Sequence, residues 1–428
     1  MLPWAGLSII NSSMWEMNMG NDFNPFEEVG GSLKASESST TLYSAPPSHR
    51  RHAHAKNFLI GSTAGLEGSM LGSKELTRIF PAKMVGVHIV TWNMASQKSQ
   101  KYPDDLTDLC YPIPTCESAG IFAICIQEVS PDKNELLIRL QASLGPRHVL
   151  FSYAFQGTLG LLIFLSRDLI WYTSVPQSTG ITTRANIRTK GAAAICFILF
   201  GTSLLFVSSH FKANAGNLDL RINDYKEVVR SLNLPKVGLE RGYHQKDKST
   251  LDRFDAVFWA GDLNFRIRKT RRQVESMLRT ERKSSVFEHL LNFDELVSTQ
   301  LKGQVFQQFE EGRIRFPPTY KYDINSDNFD TSEKNRVPAY TDRILYKVQK
   351  KGTVSCVHYD SIRTIRSSDH RPVYGYYTVC LKPGCDNIAL AAGAFHRDIY
   401  IAGNQRRALH FDLIRPRAKG RTKLCSVQ

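Results

Sequence analysis

The sequence lacks the features that would place the chain across a membrane or outside the cell. Its longest apolar run, residues 192–207, is interrupted by Gly201-Thr202-Ser203 and falls short of the ~20 residues that a membrane-spanning helix needs. We interpret this run as two buried strands joined by a tight turn. No basic stretch precedes the apolar patch at residues 7–10, so we expect no signal peptide, and Leu2 is incompatible with N-myristoylation.

Cysteine is scarce and shows no pattern typical of a metal site. The chain has 8 cysteines in 428 residues, and their spacing matches no known arrangement of zinc ligands. Most of them lie in or beside apolar runs, which predicts buried free thiols in a reducing compartment. The sequence also contains no internal repeat.

Acidic residues are outnumbered by basic ones. The chain has 40 Asp and Glu against 55 Lys and Arg, which gives a formal net charge of +15. The excess is concentrated in two windows: residues 266–283 hold eight basic and two acidic residues, and residues 403–424 hold seven basic and one acidic. This distribution predicts anionic partners, among them nucleic acid, acidic lipid and phosphorylated small molecules.

Three regions follow from the composition and the hydrophobic pattern. Residues 1–75 are rich in Ser, Gly, Asn and Thr, and we expect them to be disordered. Residues 76–383 form a globular region, and residues 384–428 form a C-terminal segment with a basic tail. Within the globular region the pattern predicts strands at 85–91, 121–126, 148–153, 159–166, 192–200, 204–209, 256–261, 344–348 and 373–379, and helices at 131–144, 217–232 and across 270–301.

Polar side chains stand directly beside the ends of these predicted strands. In a sheet-based α/β protein such residues gather at one edge of the sheets. The residues that follow strands are Asn93, Glu128, His210, Asp262 and Asn264, and those that precede strands are Asp342, Asp369 and His370. Singly, each is typical of a cap, a turn or a rim residue, as Gly261-Asp262-Leu263-Asn264 is of an Asx turn. Their joint occurrence favours a functional site.

The chemistry of this set fits phosphate and a divalent cation. Glu128 and Asn93 are oxygen donors, too few to enclose calcium but sufficient for Mg²⁺ that keeps several waters and binds a substrate phosphate. His210 and His370 can donate to phosphate oxygens, and a carboxylate, Asp342 or Asp369, could accept from the second ring nitrogen of His370. Asp262 is then free to orient or activate an attacking water.

Seven segments resemble, in order and spacing, those of the inositol polyphosphate 5-phosphatases, a family with the DNase I-like endonuclease/exonuclease/phosphatase fold. Two signatures are complete, Trp-x-Gly-Asp-x-Asn-Phe-Arg and Pro-x-Tyr-Thr-Asp-Arg. In their detailed sequence the segments are most similar to type IV members of the family. The segments are 91–93, 127–128, 190–192, 209–211, 258–266, 338–343 and 368–370. The resemblance implies a four-layer α/β sandwich of two mixed β-sheets flanked by helices, with residues 76–383 as its catalytic domain.

The resemblance also implies an activity and a role for each matching residue. The activity is Mg²⁺-dependent removal of the 5-phosphate from phosphatidylinositol 4,5-bisphosphate and 3,4,5-trisphosphate by attack of water. Glu128, helped by Asn93, would bind Mg²⁺, and Asp262 and Asn264 would place the attacking water. His370, oriented by Asp342, would hold the scissile phosphate together with His210. Asp369 would support the metal or the water. The ring phosphates would contact Lys190, Tyr320, Lys321, Lys334, Arg336 and Arg343, with Tyr320 and Lys321 reading the 4-phosphate.

The C-terminal sequence predicts a lipid anchor. Cys425-Ser426-Val427-Gln428 fits a prenylation box loosely, because Ser426 is not aliphatic, and the terminal Gln is compatible with farnesylation of Cys425. One lipid chain anchors weakly, and the basic residues of 415–423 supply a second signal toward an anionic membrane. We therefore expect a peripheral, lipid-anchored monomer on cytosol-facing membranes, and the resemblance suggests Golgi and primary cilium.

Two other functions use the same residues. A DNase I-like or abasic-site nuclease would have almost the same metal and histidine set, and the positive charge would suit DNA. We expect no nucleic-acid partner, because the basic residues concentrate in one local window and the tail. A catalytically inactive phosphoinositide-binding module is the other alternative, although every candidate catalytic residue is present.

Overall fold

The computed structural model describes residues 69–95, 102–103, 105–183, 189–235, 249–280, 283–385 and 388–414. Most of the predicted N-terminal disordered segment and the basic tail with Cys425 lie outside the described residues. The strands are β1 (Met84–Asn93), β2 (Ile121–Gln127), β3 (His148–Gln156), β4 (Leu159–Ser166), β5 (Gln177–Thr182), β6 (Gly191–Leu199), β7 (Thr202–His210), β8 (Ala256–Asp262), β9 (Glu310–Glu311), β10 (Asp342–Val348), β11 (Val354–Ser361) and β12 (Val373–Cys380).

The helices connect and cover these strands. They are α1 (Ser73–Ile79), α2 (Thr107–Cys110), α3 (Lys133–Leu144), α4 (Leu218–Ser231), α5 (Arg271–Thr280), α6 (Lys283–Leu291), α7 (Glu295–Leu301) and α8 (Arg397–Ile414). Short 3₁₀ turns occur at Pro114–Ser118, Arg167–Trp171 and Thr250–Asp252. Within the described part of the chain, no helix is both long and apolar enough to cross a bilayer.

The strands form two six-stranded sheets. Their orders are β11-β12-β1-β2-β4-β3 and β5-β6-β7-β8-β10-β9. In each sheet one central pair is parallel, β1 with β2 and β7 with β8, while the other pairs are antiparallel. The predicted hairpin across residues 192–207 is confirmed as β6 and β7, which pair antiparallel from Gly191 opposite His210. Both sheets are therefore mixed, as the resemblance implied.

The core lies between the two sheets and follows from the period-two alternation of strand side chains. In β1, Val87 and Ile89 face this core, while Val90 and Trp92 face the opposite side of the sheet. In β7 and β8, Phe206 and Phe258 stack in the same core with ring centroids 5.4 Å apart. Burial of both faces accounts for the near-continuous apolar runs in these strands.

Helices cover the outer face of each sheet. On the first sheet, Leu136 and Leu140 of α3 join the outward side chains of the strands in a second apolar cluster. On the other sheet, Ile222 and Val228 of α4 join the outward Val257 and Trp259 of β8 in a third apolar cluster. The order helix, sheet, sheet, helix gives the four-layer arrangement.

Several elements have no signal in the sequence. Edge strand β5 reads Gln-Ser-Thr-Gly-Ile-Thr and is only partly buried, so it lacks the alternation by which strands are predicted.

The folded region extends beyond both limits of residues 76–383. The buried Leu71 and helix α1 show that it begins before residue 76. Helix α8 continues the fold beyond residue 383 and contacts α3 through an Arg406–Glu135 ion pair of 2.6 Å.

The close approach of β8 to β7 generates a stability prediction. Gly261 has φ +150°, and a Cβ atom there would lie 2.0 Å from the carbonyl oxygen of Ser209. We expect Gly261→Ala to lower the free energy of unfolding by about 2 kcal/mol or more, because the clash is with backbone. Chemical denaturation measures the change, with Gly216→Ala as the control, since nothing lies within 4 Å of a Cβ at that position. Equal stability of the two variants would contradict the prediction.

Candidate functional site

The strand register brings the predicted site residues to one edge of the sandwich. Asn93 lies opposite Gln127 in the parallel β1–β2 pair, so Glu128 follows at the same edge. His210 lies opposite Asp262 in the parallel β7–β8 pair. Antiparallel β10 begins at this edge, with Asp342 opposite Asp262. The carboxyl ends of two parallel pairs and the amino ends of their antiparallel neighbours therefore meet at one site.

Asp262 is buried at the centre of this site and is surrounded by donors. Its Oδ2 atom accepts a 3.0 Å hydrogen bond from Nδ2 of Asn93 and lies 3.2 Å from Nε2 of His210. Its Oδ1 atom accepts a 3.1 Å bond from the backbone N–H of Asn264. Burial raises the pKa of this carboxyl, but the hydrogen bond from His210 and the charges of His370 and Lys190 outweigh burial and hold the pKa well below its usual range. Asp262 is therefore an anion at neutral pH.

His370 is held as a protonated donor by Asp342. Its Nδ1 atom lies 2.9 Å from Oδ2 of Asp342, and that oxygen also accepts 2.9 Å bonds from the hydroxyls of Thr319 and Thr341. Burial lowers the pKa of His370, but the Asp342 carboxylate, with smaller contributions from other carboxylates, raises it to about 10. The charged imidazolium directs Nε2 away from Asp342, toward the site.

Of the two candidate acceptors for His370, the structure shows contact with Asp342, the one that the resemblance implied. Asp342 is fully buried and contacts Nδ1. Asp369 keeps 22% of its side chain exposed, and its Oδ1 atom lies 4.0 Å from Nε2 of His370, on the site side of the ring. Asp342 is thus the orienting carboxylate, and Asp369 lies at the rim.

Both polar atoms of the Asn264 side chain bond to other protein groups. Its φ is +58°, its Nδ2 atom donates a 3.1 Å bond to the carbonyl of Phe211, and its Oδ1 atom accepts from Nη2 of Arg266. The carboxamide therefore joins the segments that follow β7 and β8. Its backbone N–H, which binds Asp262, is the part of Asn264 that acts on the central carboxylate.

A divalent cation fits the Glu128 side of the site. Ligand atoms of Asp262, Asp342 and His370 lie within 4.8 Å of one another, but a protonated His370 cannot be a ligand. Glu128 offers a partly exposed carboxylate with 45% of its side chain accessible, and its Oε1 atom accepts a 3.3 Å bond from Asn93. Oxygen donors of this kind, next to an anionic Asp262, suit a hard cation.

The predicted phosphate-binding residues nearest the site are Lys190 and Tyr320. Lys190 is partly exposed and its ammonium contacts Nε2 of His210; burial lowers the pKa of Lys190. The Tyr320 ring lies 4.6 Å from the His370 ring, centroid to centroid. Lys321 follows Tyr320, but its Nζ atom lies 3.3 Å from Asp330, so an acidic neighbour already partly balances its charge.

Lys334 and Arg336 lie on the loop that follows Asp330. Lys334 is exposed. Arg336 donates a 3.2 Å bond to Oδ1 of Asn214, which lies in the loop after His210. Arg336 is therefore placed beside the segment that leaves β7, whereas the contact of Lys334 with a phosphate stays a prediction.

Arg343 does not reach the site, and the prediction that it contacts a phosphate is wrong. It is 1% exposed and pairs with Asp294 at 3.0 Å and with Glu311 at 2.5 Å. Consecutive side chains of a strand point to opposite faces, so Arg343 must point away when Asp342 faces His370. The alternation of β10 was the signal that could have excluded it.

Four site residues were missed by sequence reasoning. Thr319 and Thr341 bind Asp342, and the Ser368 hydroxyl joins β1 to the His370 loop by donating a 2.6 Å bond to the carbonyl of Asn93. Arg266 lies with its guanidinium 4.5 Å from the centroid of the Tyr320 ring. Arg266 and Thr341 belong to the two signatures and Ser368 to the matching segment 368–370, whereas Thr319 lies outside the seven segments.

Comparison with known proteins agrees with this geometry. The model of Endonuclease/Exonuclease/phosphatase family 2 matches residues 90–376. The mouse phosphatidylinositol polyphosphate 5-phosphatase type IV is 39% identical over 386 residues, which cover 90% of this chain and 59% of that protein. The type IV inositol polyphosphate 5-phosphatase 11 of Arabidopsis thaliana is 30% identical over 347 residues, which cover 78% of this chain and 95% of that protein. The chain thus spans less than two thirds of the mouse relative.

Solved structures show the same relationship. The inositol polyphosphate 5-phosphatase domain of a synaptojanin, in complex with inositol (1,4)-bisphosphate and a calcium ion, has a TM-score of 0.61 at 28% identity and covers 80% of this chain and 97% of its own. A Cimex nitrophorin has a TM-score of 0.56 at 21% identity, covers 70% of this chain and 99% of its own, and shares the fold alone. The chain belongs to the endonuclease/exonuclease/phosphatase family and, within it, to the inositol polyphosphate 5-phosphatases.

Proposed function

We propose that this chain is a Mg²⁺-dependent phosphatase that removes the 5-phosphate from phosphatidylinositol 4,5-bisphosphate and phosphatidylinositol 3,4,5-trisphosphate. The observation that carries the proposal is the pairing of a buried anionic Asp262 with a protonated His370 at the mouth of the two sheets. The Asp262 carboxylate can accept a hydrogen bond from an attacking water, and the His370 imidazolium can donate one to a phosphate oxygen. Family membership supports the substrate class, and the fold by itself does not, because a nitrophorin shares it.

The arrangement favours attack by water over attack by a side chain. Cys125 and Cys196 are buried in β2 and β6, and burial raises the pKa of each thiol to about 12. Cys110 and Cys116 are also buried, and burial raises their pKa values as well. These four thiols therefore remain protonated and inert. Asp262 can instead accept a hydrogen bond from a water and orient it for in-line attack on the phosphorus.

Side-chain donors from several elements hold the phosphate while charge shifts to its oxygens. His370 directs its Nε2 proton into the site, Lys190 contacts His210, and His210 lies 3.2 Å from Asp262. These donors are fixed before substrate arrives, because Asp342 and the two threonines set the ring of His370. Fixed donors of this kind stabilise a transition state more than mobile ones. Mg²⁺ held by Glu128 with Asn93 would neutralise developing negative charge on the transferred phosphoryl group and the leaving oxygen.

The cationic rim supports recognition of a phosphorylated ring. Lys190 contacts His210, Tyr320 packs on His370 and is followed by Lys321, and Arg336 contacts Asn214 in the loop after β7. Lys334 is exposed on the same loop as Arg336. A partly neutralised Lys321 is free to exchange Asp330 for a ring phosphate. We propose that Tyr320 and Lys321 read the 4-phosphate, which would make a 4,5-bisphosphate a better substrate than a lone 5-phosphate.

The central carboxylate provides the first test of the activity. We expect Asp262→Asn to lower phosphate release by about 10²-fold or more, because it removes the group that orients the water. The assay uses liposomes that carry each phosphoinositide, beside soluble inositol trisphosphate and abasic-site DNA, with Mg²⁺ or with EDTA. The matched control is Asp168→Asn, at an exposed position in a surface 3₁₀ turn.

We expect phosphate release from 5-phosphorylated lipids in the presence of Mg²⁺ and none with EDTA. We expect Asp262→Asn to lose this release. Cleavage of the DNA would favour the nuclease alternative, and tight lipid binding without turnover would favour the inactive binding module. Retention of turnover by Asp262→Asn would show that another group orients the water.

The dyad of Asp342 and His370 predicts a pH dependence. Because Asp342 helps to raise the pKa of His370 to about 10, the imidazolium persists at neutral pH and is lost only as the pH rises through that value. Asp342→Asn removes the charge that raises the pKa, so we expect the alkaline decline of kcat/KM to move to lower pH. Profiles of kcat/KM against pH, measured for both proteins, test this. A decline at the same pH in Asp342→Asn would contradict it.

We also propose that the chain acts at cytosol-facing membranes as a monomer anchored by farnesyl at Cys425 and by the basic tail, with Golgi and primary cilium as candidate locations. We expect intact-mass analysis of protein from eukaryotic cells to show one farnesyl group and loss of the last three residues, and Cys425→Ser to move protein from the membrane fraction to the soluble one. An unmodified, uncleaved C-terminus would refute the anchor and leave the phosphatase activity untouched.

A further inference from the structure

Two buried, oppositely charged residues outside the predicted motifs lie directly behind the site. Arg221 belongs to α4 and is fully buried, and Glu295 begins α7 and is 5% exposed. Nη2 of Arg221 donates a 2.6 Å bond to Oε2 of Glu295. A buried ion pair is weak support for stability by itself, because the loss of hydration offsets much of the attraction. The contacts of the pair with the backbone therefore decide its role.

Arg221 binds the backbone of the segment that follows His210, the last residue of β7. Its Nη1 atom donates to the carbonyl of Lys212 at 3.2 Å and to that of Asn214 at 2.7 Å. Its Nη2 atom lies 3.4 Å from the carbonyl of Ala215. This segment starts directly after His210, so one guanidinium fixes the path of the chain as it leaves the site.

Glu295 holds the corresponding segment that follows β8. The same Oε2 atom that binds Arg221 accepts a 2.9 Å bond from the backbone N–H of Arg266. The backbone N–H of Glu295 in turn donates a 2.9 Å bond to the carbonyl of Arg266. Arg266 lies four residues after Asp262, so the pair joins the exits of the two parallel strands that supply the central carboxylate and its histidine.

Arg266 extends the network to the side of the site that faces the ring. Its Nε atom donates a 3.0 Å bond to the carbonyl of Asn264, and its Nη2 atom contacts Oδ1 of the same residue. Its guanidinium lies over the Tyr320 ring, which in turn packs against His370. A continuous set of contacts thus links Arg221 and Glu295 to the segments that follow His210 and Asp262, and through Arg266 to Tyr320 and His370.

We propose that Arg221 and Glu295 are positioning residues that act through Arg266 to fix the relative placement of His210, Asp262 and Tyr320. The proposal rests on the proposed phosphatase function. An apolar pair of the same volume would fill the space but would leave the backbone groups of residues 212–215 and 266 without these partners. The ion pair therefore determines the alignment of water, phosphate and ring, which governs turnover more than affinity.

The test uses Arg221→Lys and Glu295→Gln in the 428-residue chain. Lysine is shorter and cannot bind Glu295 and two carbonyls at once, and glutamine lacks the charge that holds Arg221. With a short-chain, water-soluble phosphatidylinositol 4,5-bisphosphate, we expect kcat to fall by about tenfold or more in each variant while KM stays within about threefold. Hydrogen exchange in residues 211–217 and 263–267 should become faster in both.

The control is Val228→Ala, in the same helix as Arg221. Val228 is fully buried in the apolar cluster over the second sheet, so its truncation lowers the melting temperature without altering a polar contact of the site. We expect this variant to keep kcat and the exchange pattern of both segments. If it loses kcat as the ion-pair variants do, or if folded Arg221→Lys and Glu295→Gln keep wild-type kcat, the proposal is overturned.

Failure of the inference is distinguishable from failure of the proposed function. If the wild-type chain turns over no phosphoinositide, the phosphatase proposal fails, and hydrogen exchange still tests the network. Unchanged exchange in both segments of the two ion-pair variants would overturn the positioning role whatever the substrate.

Discussion

The site depends on one constraint: a carboxylate buried at the meeting point of two sheets must be surrounded by hydrogen-bond donors. Asp262 is 1% exposed, and an isolated charge in that setting would be neutralised. Asn93 from the other sheet, His210 from the neighbouring strand and the Asn264 amide together keep it ionised. Because these donors come from different strands, only the folded arrangement offsets the cost of burying this charge.

The mixed topology of the sheets explains why these donors can meet. Parallel pairs deliver Asn93 with Glu128, and His210 with Asp262, while the antiparallel neighbours supply Asp342 and His370 from the opposite chain direction. The site consequently contains two kinds of titrating group with opposite shifts. The pKa of Asp262 is lowered and that of His370 is raised, so at neutral pH the site holds an anion beside a cation.

Behind the site, buried charge serves alignment in two different ways. Asp342 and its two threonine partners fix one imidazole directly. Arg343, the next residue in the chain, faces the other side of β10 and joins that strand to Asp294 and Glu311, outside the site. Motif residues that are adjacent in sequence can therefore belong to different parts of the structure, because a strand turns each successive side chain to the opposite face.

The sequence alone determined the central strands, the polar residues at their ends and the family, because apolar runs and short signatures are local patterns. It also placed Asp262, His210, His370 and Glu128 correctly at one edge. The resemblance implied that Asp342 orients His370, and the structure shows the contact. Only the tertiary structure decided that Arg343 pairs with Asp294 and Glu311 and that Arg221, Glu295 and Arg266 lie behind the site. These facts depend on contacts between residues distant in sequence, and no local pattern specifies them.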